Sequence, residues 1–182
     1  MNPEPAVSVV GPLYNEEENG PILHAALAAA LAGIAHEIIY VDDGSVDQTV
    51  ARLTNTPETR LLRFEKNAGQ SAAMYAGVNA ARGAVVVLID GALQNDPADI
   101  PRLVAEIERG ADLVCGYRAQ RKDTLVKRLT SRIANFVRSR FTKEGVRDTG
   151  CTPTSMLRDC VRTIVPSTGI PRFLPSLVTR AA

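Results

Sequence analysis

The sequence has no tryptophan, and phenylalanine and tyrosine together make up 4% of its 182 residues. A hydrophobic core built from this chain therefore rests on alanine, valine, leucine and isoleucine. One domain of this length has room for such a core. The net charge of +1 lacks the strongly basic balance of proteins that bind nucleic acid in bulk, so no nucleic-acid partner is expected.

Cysteine is scarce as well. Cys115, Cys151 and Cys160 are an odd number and lack the spacing of a metal site, so we interpret them as reduced thiols of a cytosolic protein. No signal peptide is expected, because the start of the chain has no basic region and only a short apolar run. The longest apolar stretch, residues 24–35, falls short of the roughly 20 residues that span a membrane. The expected location is the cytoplasm.

Several common catalytic and cofactor motifs are missing. The sequence contains no G-x-G-x-x-G for dinucleotides, no G-x-x-x-x-G-K-[ST] for triphosphates and no G-x-S-x-G nucleophile elbow. His24 and His36 lack the spacing of a metal-binding pair and are expected to be structural. These absences argue against the usual dinucleotide oxidoreductases, P-loop enzymes and α/β-hydrolases.

What the sequence contains is an alternation of apolar runs and helical patterns. Strands are predicted over 6–13, over 36–45 with a closing Asp-Asp-Gly-Ser turn, and over 59–67, 84–90 and 111–118. Helices are predicted from near Gly20-Pro21 and over 47–55, 69–83 and 96–110. Because the strands are nearly continuous apolar runs, a parallel sheet covered on both faces is expected. We predict an α/β, doubly wound fold, with a mostly parallel sheet and helices on both faces.

Polar residues and glycines mark the predicted helix ends. Ser45 or Asp47 is the expected cap of the second helix, and Asp96 is the expected cap of the fourth. Gly83 and Gly110 are expected to end the third and fourth helices. These signals place a turn or loop directly after each predicted strand.

Ligands of such sheets bind beyond the carboxyl ends of the strands, where the polar motifs of this chain are expected. Five carboxylates are predicted at that edge: Glu16, Asp42, Asp43, Asp90 and Asp96. Mg²⁺ and Mn²⁺ prefer oxygen ligands and bridge diphosphates. Together with the cations Arg118, Arg121 and Lys122, this set predicts a nucleotide-diphosphate substrate. For two of these carboxylates a structural role stays open instead of a role in the site: Asp42 as a turn-former and Asp96 as a helix cap.

A basic amphipathic segment covers residues 119–141. Two interpretations stay open: a surface helix whose cations are simply solvated, or a helix at a membrane surface or over an anionic substrate. The tail after Cys151 contains prolines, and no helix is predicted there. No internal repeat or low-complexity linker is present, which favours one domain.

Five motifs occur in order along the chain: PLYNEEEN, VDDGSVDQT, NAGQSAAMYAG, IDGALQNDPADIP and RDTGC. In this order and spacing they resemble family 2 glycosyltransferases with the A-type fold, most of all the bacterial polyprenyl-phosphate glycosyltransferases related to dolichol-phosphate mannosyltransferase. The resemblance covers residues 6–177. It implies a single glycosyltransferase domain over 1–182, with a nucleotide-sugar-binding half at 6–118 and a C-terminally short acceptor-side half at 119–182.

The resemblance also implies roles for the residues at the motif positions. Donor-nucleotide contacts would come from Pro12, Tyr14, Glu16, Asp43, Lys66, Asn67, Gln70 and Gly91. Phosphates of donor or acceptor would contact Arg118, Arg121 and Arg172. A divalent cation, Mg²⁺ or Mn²⁺, would be held by Asp90 and Gln94. The catalytic carboxylates would be Asp90 and Asp148, and a purely loop-holding role for Asp148 stays open.

The activity implied by the resemblance is transfer of a sugar from a UDP- or GDP-linked donor, with uridine preferred, to a polyprenyl phosphate with inversion. A phosphate acceptor is ionised at neutral pH, so its attack on the anomeric carbon needs little help from a base. The basic segment adds a peripheral position on the cytoplasmic face of the membrane as an expectation. Nothing in the sequence predicts an oligomeric state.

Three departures from the family pattern stand out. The D-x-D metal motif reads Asp90-Gly91-Ala92, so a methyl group replaces the second carboxylate. Gly11 replaces a branched apolar residue and is expected to loosen the packing of the first strand. Many relatives continue beyond the position of Leu177 into further β structure and two transmembrane helices.

The missing carboxylate predicts weak donor binding and slow or absent turnover. Loss of a direct metal ligand is expected to weaken the metal by more than the ~10–100-fold typical of changes around the ligands. A catalytically inactive nucleotide-sugar-binding or scaffold protein is therefore an open alternative, favoured by Ala92. A nucleotidyltransferase is a second alternative, disfavoured because the first loop lacks a glycine-rich basic signature for triphosphate.

Overall fold

The protein is described by a computed structural model over residues 4–53, 59–116 and 154–162. The strands in these ranges are β1 (Val7–Leu13), β2 (His36–Asp42), β3 (Thr59–Arg63), β4 (Val85–Leu88), β5 (Leu113–Cys115) and β6 (Thr154–Leu157). They form one sheet in the order β3-β2-β1-β4-β6-β5. β1 pairs in parallel with β2 and β4, and β2 with β3, whereas β6 runs antiparallel to β4 and β5. The predicted mostly parallel sheet is confirmed.

The helices of the described ranges alternate with these strands. They are α1 (Asn19–Ala30), α2 (Thr49–Arg52), α3 (Gln70–Ala80), α4 (Ile100–Glu108) and α5 (Arg158–Arg162). A 3₁₀ turn, Pro97–Asp99, leads into α4, and Asp96 caps it by accepting the Ala98 amide at 3.0 Å. Of the two interpretations of Asp96, site carboxylate or helix cap, the structure shows the helix cap. Gly110 follows α4 with a φ of +105°, a conformation that favours glycine.

Helices cover both faces of the sheet, as predicted. On one face α1 and α4 pack against the strands in a cluster that includes Val9, Leu23, Leu27, Val87, Ile100 and Val104. On the other face α3 packs in a cluster that includes Val10, Ile39, Val41, Ala73, Met74, Val78 and Val86. Because β1 and β4 are buried on both faces, their residues are apolar without alternation, apart from Ser8 in β1.

The sequence does not predict β6 and α5, and the expected tail without a helix is wrong. β6 lies between β4 and β5, where Thr154 pairs with Leu88 and Leu157 pairs with Val85. A strand this short carries too little periodicity to be recognised. Its burial depends on pairing with strands that lie far earlier in the chain, and no local pattern reveals that pairing.

The second helix is shorter than its sequence pattern suggests. α2 covers Thr49–Arg52 instead of 47–55. Ser45 does not cap it, because the Ser45 Oγ accepts the amide of Asn15 at 2.9 Å. Of the two expected caps, only Asp47 contacts the start of the helix, by accepting the Thr49 amide at 2.9 Å. The hydroxyl of Ser45 therefore joins two connections of the sheet.

Other boundaries also move, for example the end of β3, which lies at Arg63 instead of 67. α3 ends at Ala80 instead of continuing to Gly83, whose amide donates to the Ser8 Oγ at 2.8 Å. β4 ends at Leu88, so Asp90 lies in the connection that follows the strand. These shifts are small, and the order of elements predicted up to β5 is unchanged.

Gly11 does not leave a gap in the sheet. A Cβ added at Gly11 would lie 3.3 Å from the Cδ1 of Tyr40, its partner in the β1–β2 register. The ring of Tyr40 is fully buried and occupies the space that a branched side chain at position 11 would need. The glycine is therefore matched to a large neighbour, and the expected loosening of the strand is not seen.

Glu37 is a buried carboxylate near the amino end of β2, at the edge of the sheet opposite the carboxyl ends of β1 and β2. It accepts the Ser8 hydroxyl at 2.7 Å and the Arg82 amide at 2.8 Å. Its Oε2 lies 2.9 Å from the Arg82 Nη2 and 3.3 Å from the Arg60 Nη1. Burial alone would raise its pKa, but the hydrogen bonds from Ser8, Arg82 and Arg60 outweigh burial and hold the pKa below 4.5.

Candidate functional site

The carboxyl ends of β1, β2, β3 and β4 lie at one edge of the sheet, which we call the rim. Four connections follow these strands there: residues 14–18, 43–48, 64–69 and 89–96. Parallel pairing brings these connections together although they are far apart in sequence. The predicted placement of the motifs that follow the first four strands at one edge is thereby confirmed.

Tyr14 and Glu16 lie in the connection after β1. The backbone turns at Asn15, which has a φ of 54°, a conformation that asparagine tolerates better than most residues. Tyr14 is 46% exposed, and an exposed aromatic ring beside polar groups offers a surface for stacking. Glu16 is half-buried, and its Oε2 accepts the Asn19 side-chain amide at 2.6 Å.

Asp43 is buried beneath the rim, with 3% of its surface exposed. Its Oδ1 accepts the Ala68 amide at 2.8 Å, and its Oδ2 accepts the Gly69 amide at 2.9 Å. Its own amide donates to the carbonyl of Leu13 at 2.8 Å. Charge-assisted hydrogen bonds of this kind are stronger than neutral ones, so Asp43 holds the connection after β3. Its contact with a base or ribose stays a prediction.

Gly44 lets the connection after β2 lie directly against the connection after β3. A Cβ at Gly44 would lie 2.6 Å from the carbonyl carbon of Lys66 and 2.7 Å from the nitrogen of Asn67, and its φ is +75°. Glycine alone fits both the approach and the conformation. The side chains of Lys66, Asn67 and Gln70 are exposed at the rim, where a ligand can reach them.

Gly91 brings the connection after β4 against the connection after β1. A Cβ at Gly91 would lie 2.5 Å from the Cδ2 of Leu13, 3.0 Å from the carbonyl oxygen of Pro12 and 3.7 Å from the Cγ of Glu16. Three residues that the sequence predicts as donor contacts, Pro12, Glu16 and Gly91, are therefore neighbours. A side chain at position 91 would have to displace the end of the Leu13 side chain and would crowd the carbonyl oxygen of Pro12.

Asp90 is half-buried beside Gly91, and its Oδ1 accepts the Ala92 amide at 2.9 Å. The Ala92 methyl offers no ligand, and Gln94 is exposed. Across residues 4–53, 59–116 and 154–162, no group of three or more His, Cys, Asp and Glu side chains could hold a metal ion. These residues fit a cation that takes further ligands from a diphosphate, a common arrangement for Mg²⁺. They do not fit a metal held by protein ligands alone.

Asp42 has a structural role that the sequence left open. Its Oδ1 accepts the Ser45 amide at 3.2 Å, and its Oδ2 lies 3.3 Å from the Nε of Arg63. A carboxylate that accepts a backbone amide from a few residues later is typical of turns. Asp42 is therefore the turn-former of the Asp-Asp-Gly-Ser sequence.

Four predicted site residues lie outside the described residues: Arg118, Arg121, Asp148 and Arg172. Lys122 and the basic segment 119–141 lie outside them as well. The roles assigned to these residues stay predictions. Of the helices that the structure does describe, none is both long enough and apolar enough to cross a membrane.

The sequence motifs predict no site role for several other residues of the rim. Ser45, Asp47 and Thr49 accept amides of the connection after β1, and Glu17 accepts an amide in return. The signal in the sequence is the run of short polar residues in VDDGSVDQT, since Ser, Thr and Asp side chains favour bonds to backbone amides. The pattern does not reveal that the amides belong to another connection.

Comparison with known sequences identifies the family of this chain. The family model described as Glycosyl transferase family 2 matches residues 8–165, and the chain belongs to this family. Dodecaprenyl-phosphate galacturonate synthase of Rhizobium johnstonii is 37% identical, over 94% of this chain and 54% of that protein. Undecaprenyl-phosphate 4-deoxy-4-formamido-L-arabinose transferase of Yersinia enterocolitica is 38% identical, over 97% of this chain and 56% of that protein. The chain spans about half the length of these curated relatives.

Solved structures with a similar fold include glucosyl-3-phosphoglycerate synthase from Mycobacterium tuberculosis in complex with Mn²⁺, UDP and phosphoglyceric acid. Its TM-score is 0.77 at 23% identity, over 97% of this chain and 65% of that chain. The same enzyme with Mn²⁺, UDP-glucose and phosphoglyceric acid gives a TM-score of 0.76 at 23% identity, over 94% and 64% of the two chains. At this identity the likeness shows the fold alone.

Proposed function

We propose that this chain is the donor-binding and transfer region of a glycosyltransferase that moves a sugar from a nucleoside-diphosphate sugar to a polyprenyl phosphate. The observation that carries the proposal is the contact of Gly91 with Pro12 and Leu13, which puts Asp90 at the same part of the rim as Glu16. Membership of the family and the names of the relatives support the reaction class. Residues 6–118 would bind the donor and residues 119–182 would face the acceptor.

For the donor we propose a uridine-diphosphate sugar, with guanosine diphosphate as the alternative. Pro12, Tyr14 and Glu16 would line the base pocket, and the exposed ring of Tyr14 is suited to stacking on a base. Asp43 would lie near the base or ribose. Lys66, Asn67 and Gln70 would lie near the ribose and the diphosphate. The solved neighbours bound to UDP and UDP-glucose support uridine.

In the proposed reaction, an oxygen of the acceptor phosphate attacks the anomeric carbon with inversion, and the bond from that carbon to the nucleoside diphosphate breaks. The phosphate is already ionised at neutral pH, so positioning and electrostatics would supply most of the rate. Asp90 and Gln94 would hold a divalent cation, whose charge would offset the charge that develops on the leaving diphosphate. By family position, further contacts would come from Arg118, Arg121, Asp148 and Arg172.

Ala92 favours an alternative in which this chain binds the donor without efficient transfer. Only Asp90 supplies a carboxylate in this motif, and one of its oxygens already accepts the Ala92 amide. The cation would then depend on the diphosphate for most of its ligands. The same rim would still bind a nucleotide sugar as a scaffold at the cytoplasmic face of a membrane.

A transfer assay tests the proposal. The chain and its Ala92→Asp variant are incubated with UDP-sugars, Mn²⁺ and polyprenyl phosphate, and the released nucleotide and lipid-linked sugar are separated by chromatography. We expect UDP release with glycolipid formation, slower in the unchanged chain than in Ala92→Asp. Nucleotide binding without transfer by either form would support the scaffold alternative. Pyrophosphate release would indicate a nucleotidyltransferase, and a lack of any nucleotide binding would contradict the whole proposal.

A further inference from the structure

The connections after β1 and β2 are joined by hydrogen bonds between backbone amides and side-chain oxygens. Consecutive amides after β1 donate to side chains after β2: Asn15 to the Ser45 Oγ at 2.9 Å, Glu16 to the Thr49 Oγ1 at 2.8 Å and Glu17 to the Asp47 Oδ2 at 3.3 Å. In return, Val46 donates to the Asn15 Oδ1 and Gln48 to the Glu17 Oε2, both at 3.0 Å. We call these residues, 15–17 and 45–49, the clasp.

Thr49 lies at the centre of the clasp and is 1% exposed. The Thr49 hydroxyl donates to the Asp47 Oδ1, and the Thr49 Oγ1 also accepts the Glu16 amide. A hydroxyl has one hydrogen to donate and lone pairs to accept with. Because Asp47 takes the hydrogen, a lone pair of Thr49 is directed to Glu16. The buried hydroxyl therefore donates one hydrogen bond and accepts another, and it links the connection after β1 to Asp47.

Ser45 holds the neighbouring residue in the same way. It is 5% exposed, its Oγ accepts the Asn15 amide, and its own amide donates to the Asp42 Oδ1 at 3.2 Å. The turn after β2 is thus fixed both to the end of its own strand and to the connection after β1. Asn15, which adopts a φ of 54°, is thereby held at its amide by the Ser45 hydroxyl.

Apolar packing does not fix this part of the chain. Leu13 is buried before the clasp and Gly20 is buried after it, but no apolar side chain between them is buried. Tyr14 is 46% exposed and Val46 is 86% exposed. The hydrogen bonds of the clasp, rather than apolar burial, therefore hold the connection that carries Tyr14 and Glu16.

We infer that Thr49 and Ser45 are positioning residues of the donor site. They act through the connection that carries Tyr14 and Glu16, and neither belongs to the set of residues proposed to contact the donor. The inference rests on the proposed function, since it assumes that a nucleoside diphosphate binds at the rim. It adds that donor affinity depends on two buried hydroxyls that face the protein rather than the ligand.

Matched variants of Thr49 test the inference. Thr49→Val keeps the shape of the side chain and removes the hydroxyl, whereas Thr49→Ser keeps the hydroxyl. UDP affinity is measured by calorimetric titration in the presence of Mn²⁺, at a temperature where each variant's melting curve shows it folded. We expect Thr49→Val to weaken UDP about tenfold, which corresponds to about 1.4 kcal/mol, and Thr49→Ser to restore the affinity of the unchanged chain. Val46→Ala, which alters an exposed side chain of the same connection, is expected to change nothing.

Ser45→Ala serves as a second variant if Thr49→Val does not fold, and we expect it to weaken UDP in the same direction. Unchanged UDP affinity in a folded Thr49→Val or, where that variant does not fold, in Ser45→Ala would overturn the inference and leave the proposed function intact. A Thr49→Ser variant that stays as weak as Thr49→Val would also overturn it, since the hydroxyl would then not be responsible. If the unchanged chain does not bind UDP or GDP, the proposed function fails and the inference fails with it.

Discussion

The Oδ2 of Asp43 accepts the amide of Gly69 at 2.9 Å, so a side chain just beyond β2 holds the residue that precedes α3. The Oδ1 accepts the Ala68 amide in the same way. The N-cap residue of α3, Gly69, has no side chain to cap the helix, and its φ is +94°. A carboxylate near the amino end of a helix is favoured by the helix dipole. Asp43 therefore fixes the start of α3, where Gln70 is exposed at the rim.

Replacement of Asp43 tests this relationship. In Asp43→Asn one oxygen becomes an NH₂ group that points at a backbone amide, so the amide of Ala68 or Gly69 loses its acceptor. We expect unfolding by urea to show a loss of about 1–3 kcal/mol, together with weaker binding of UDP. Glu65→Gln, an exposed carboxylate of the same connection, is the control. Equal stability of Asp43→Asn and the control would contradict the account of Asp43.

Gly91 sets the distance between the connections after β1 and β4. In Gly91→Ala the new methyl would lie 2.5 Å from the Cδ2 of Leu13 and 3.0 Å from the carbonyl oxygen of Pro12. We expect a loss of about 1–3 kcal/mol on urea unfolding, as for other overpacked sites, and weaker donor binding. The control is Gly20→Ala in α1, whose Cβ would make an ordinary contact of 3.4 Å with Leu53, and which should gain about 0.4–1 kcal/mol. Equal changes in the free energy of unfolding for the two variants would contradict the claim that the close approach at Gly91 excludes a side chain.

The buried network of Glu37 predicts how stability depends on pH. Its pKa lies below the ordinary 4.5 because hydrogen bonds from Ser8, Arg82 and Arg60 outweigh the effect of burial. The contribution of Glu37 is therefore present above pH 4.5 and is lost as the pH falls through the lowered value. We expect Glu37→Gln to lose about 1–3 kcal/mol at pH 7 and to show a shallower fall of stability in acid. Parallel pH profiles of the two proteins would count against this assignment.

Position 92 predicts how the chain binds a divalent cation. Ala92→Asp would add a second carboxylate next to Asp90, and direct ligands affect metal affinity at least as strongly as the roughly 10-fold effects of residues around them. We expect Mn²⁺ to bind more than tenfold tighter to Ala92→Asp than to the unchanged chain in the presence of UDP. The affinities are measured from the electron paramagnetic resonance signal of free Mn²⁺. Ala92→Asn, of similar shape but without the charge, should give a smaller gain. Identical Mn²⁺ affinities in all three proteins would mean that the cation is held elsewhere.

The fold of the first four strands could be predicted from the sequence because each of them is a local pattern. Apolar runs such as 84–90 end in glycine, aspartate or asparagine, and helical patterns lie between them. Parallel pairing then places Asp43, Asp90 and Glu16 at one edge without further information. The rim is thus predictable because it follows from topology.

The remaining features depend on contacts between distant segments. β6 owes its position to pairing with β4 and β5, and nothing in the four residues Thr154–Leu157 indicates those partners. Ser45 looks like a helix cap because serine often is one, but its hydroxyl accepts the Asn15 amide instead. Local propensity identifies residues that bind backbone amides, and only the fold decides which amides they bind.

The proposed function requires that the rim binds a nucleoside diphosphate, and a calorimetric titration of UDP into the unchanged chain with Mn²⁺ measures this binding. We predict saturable binding that weakens when Mn²⁺ is omitted and when Gly91→Ala separates the two connections. Absence of saturable binding for both UDP and GDP, or binding that Gly91→Ala and Asp90→Asn leave unchanged, would contradict the claim.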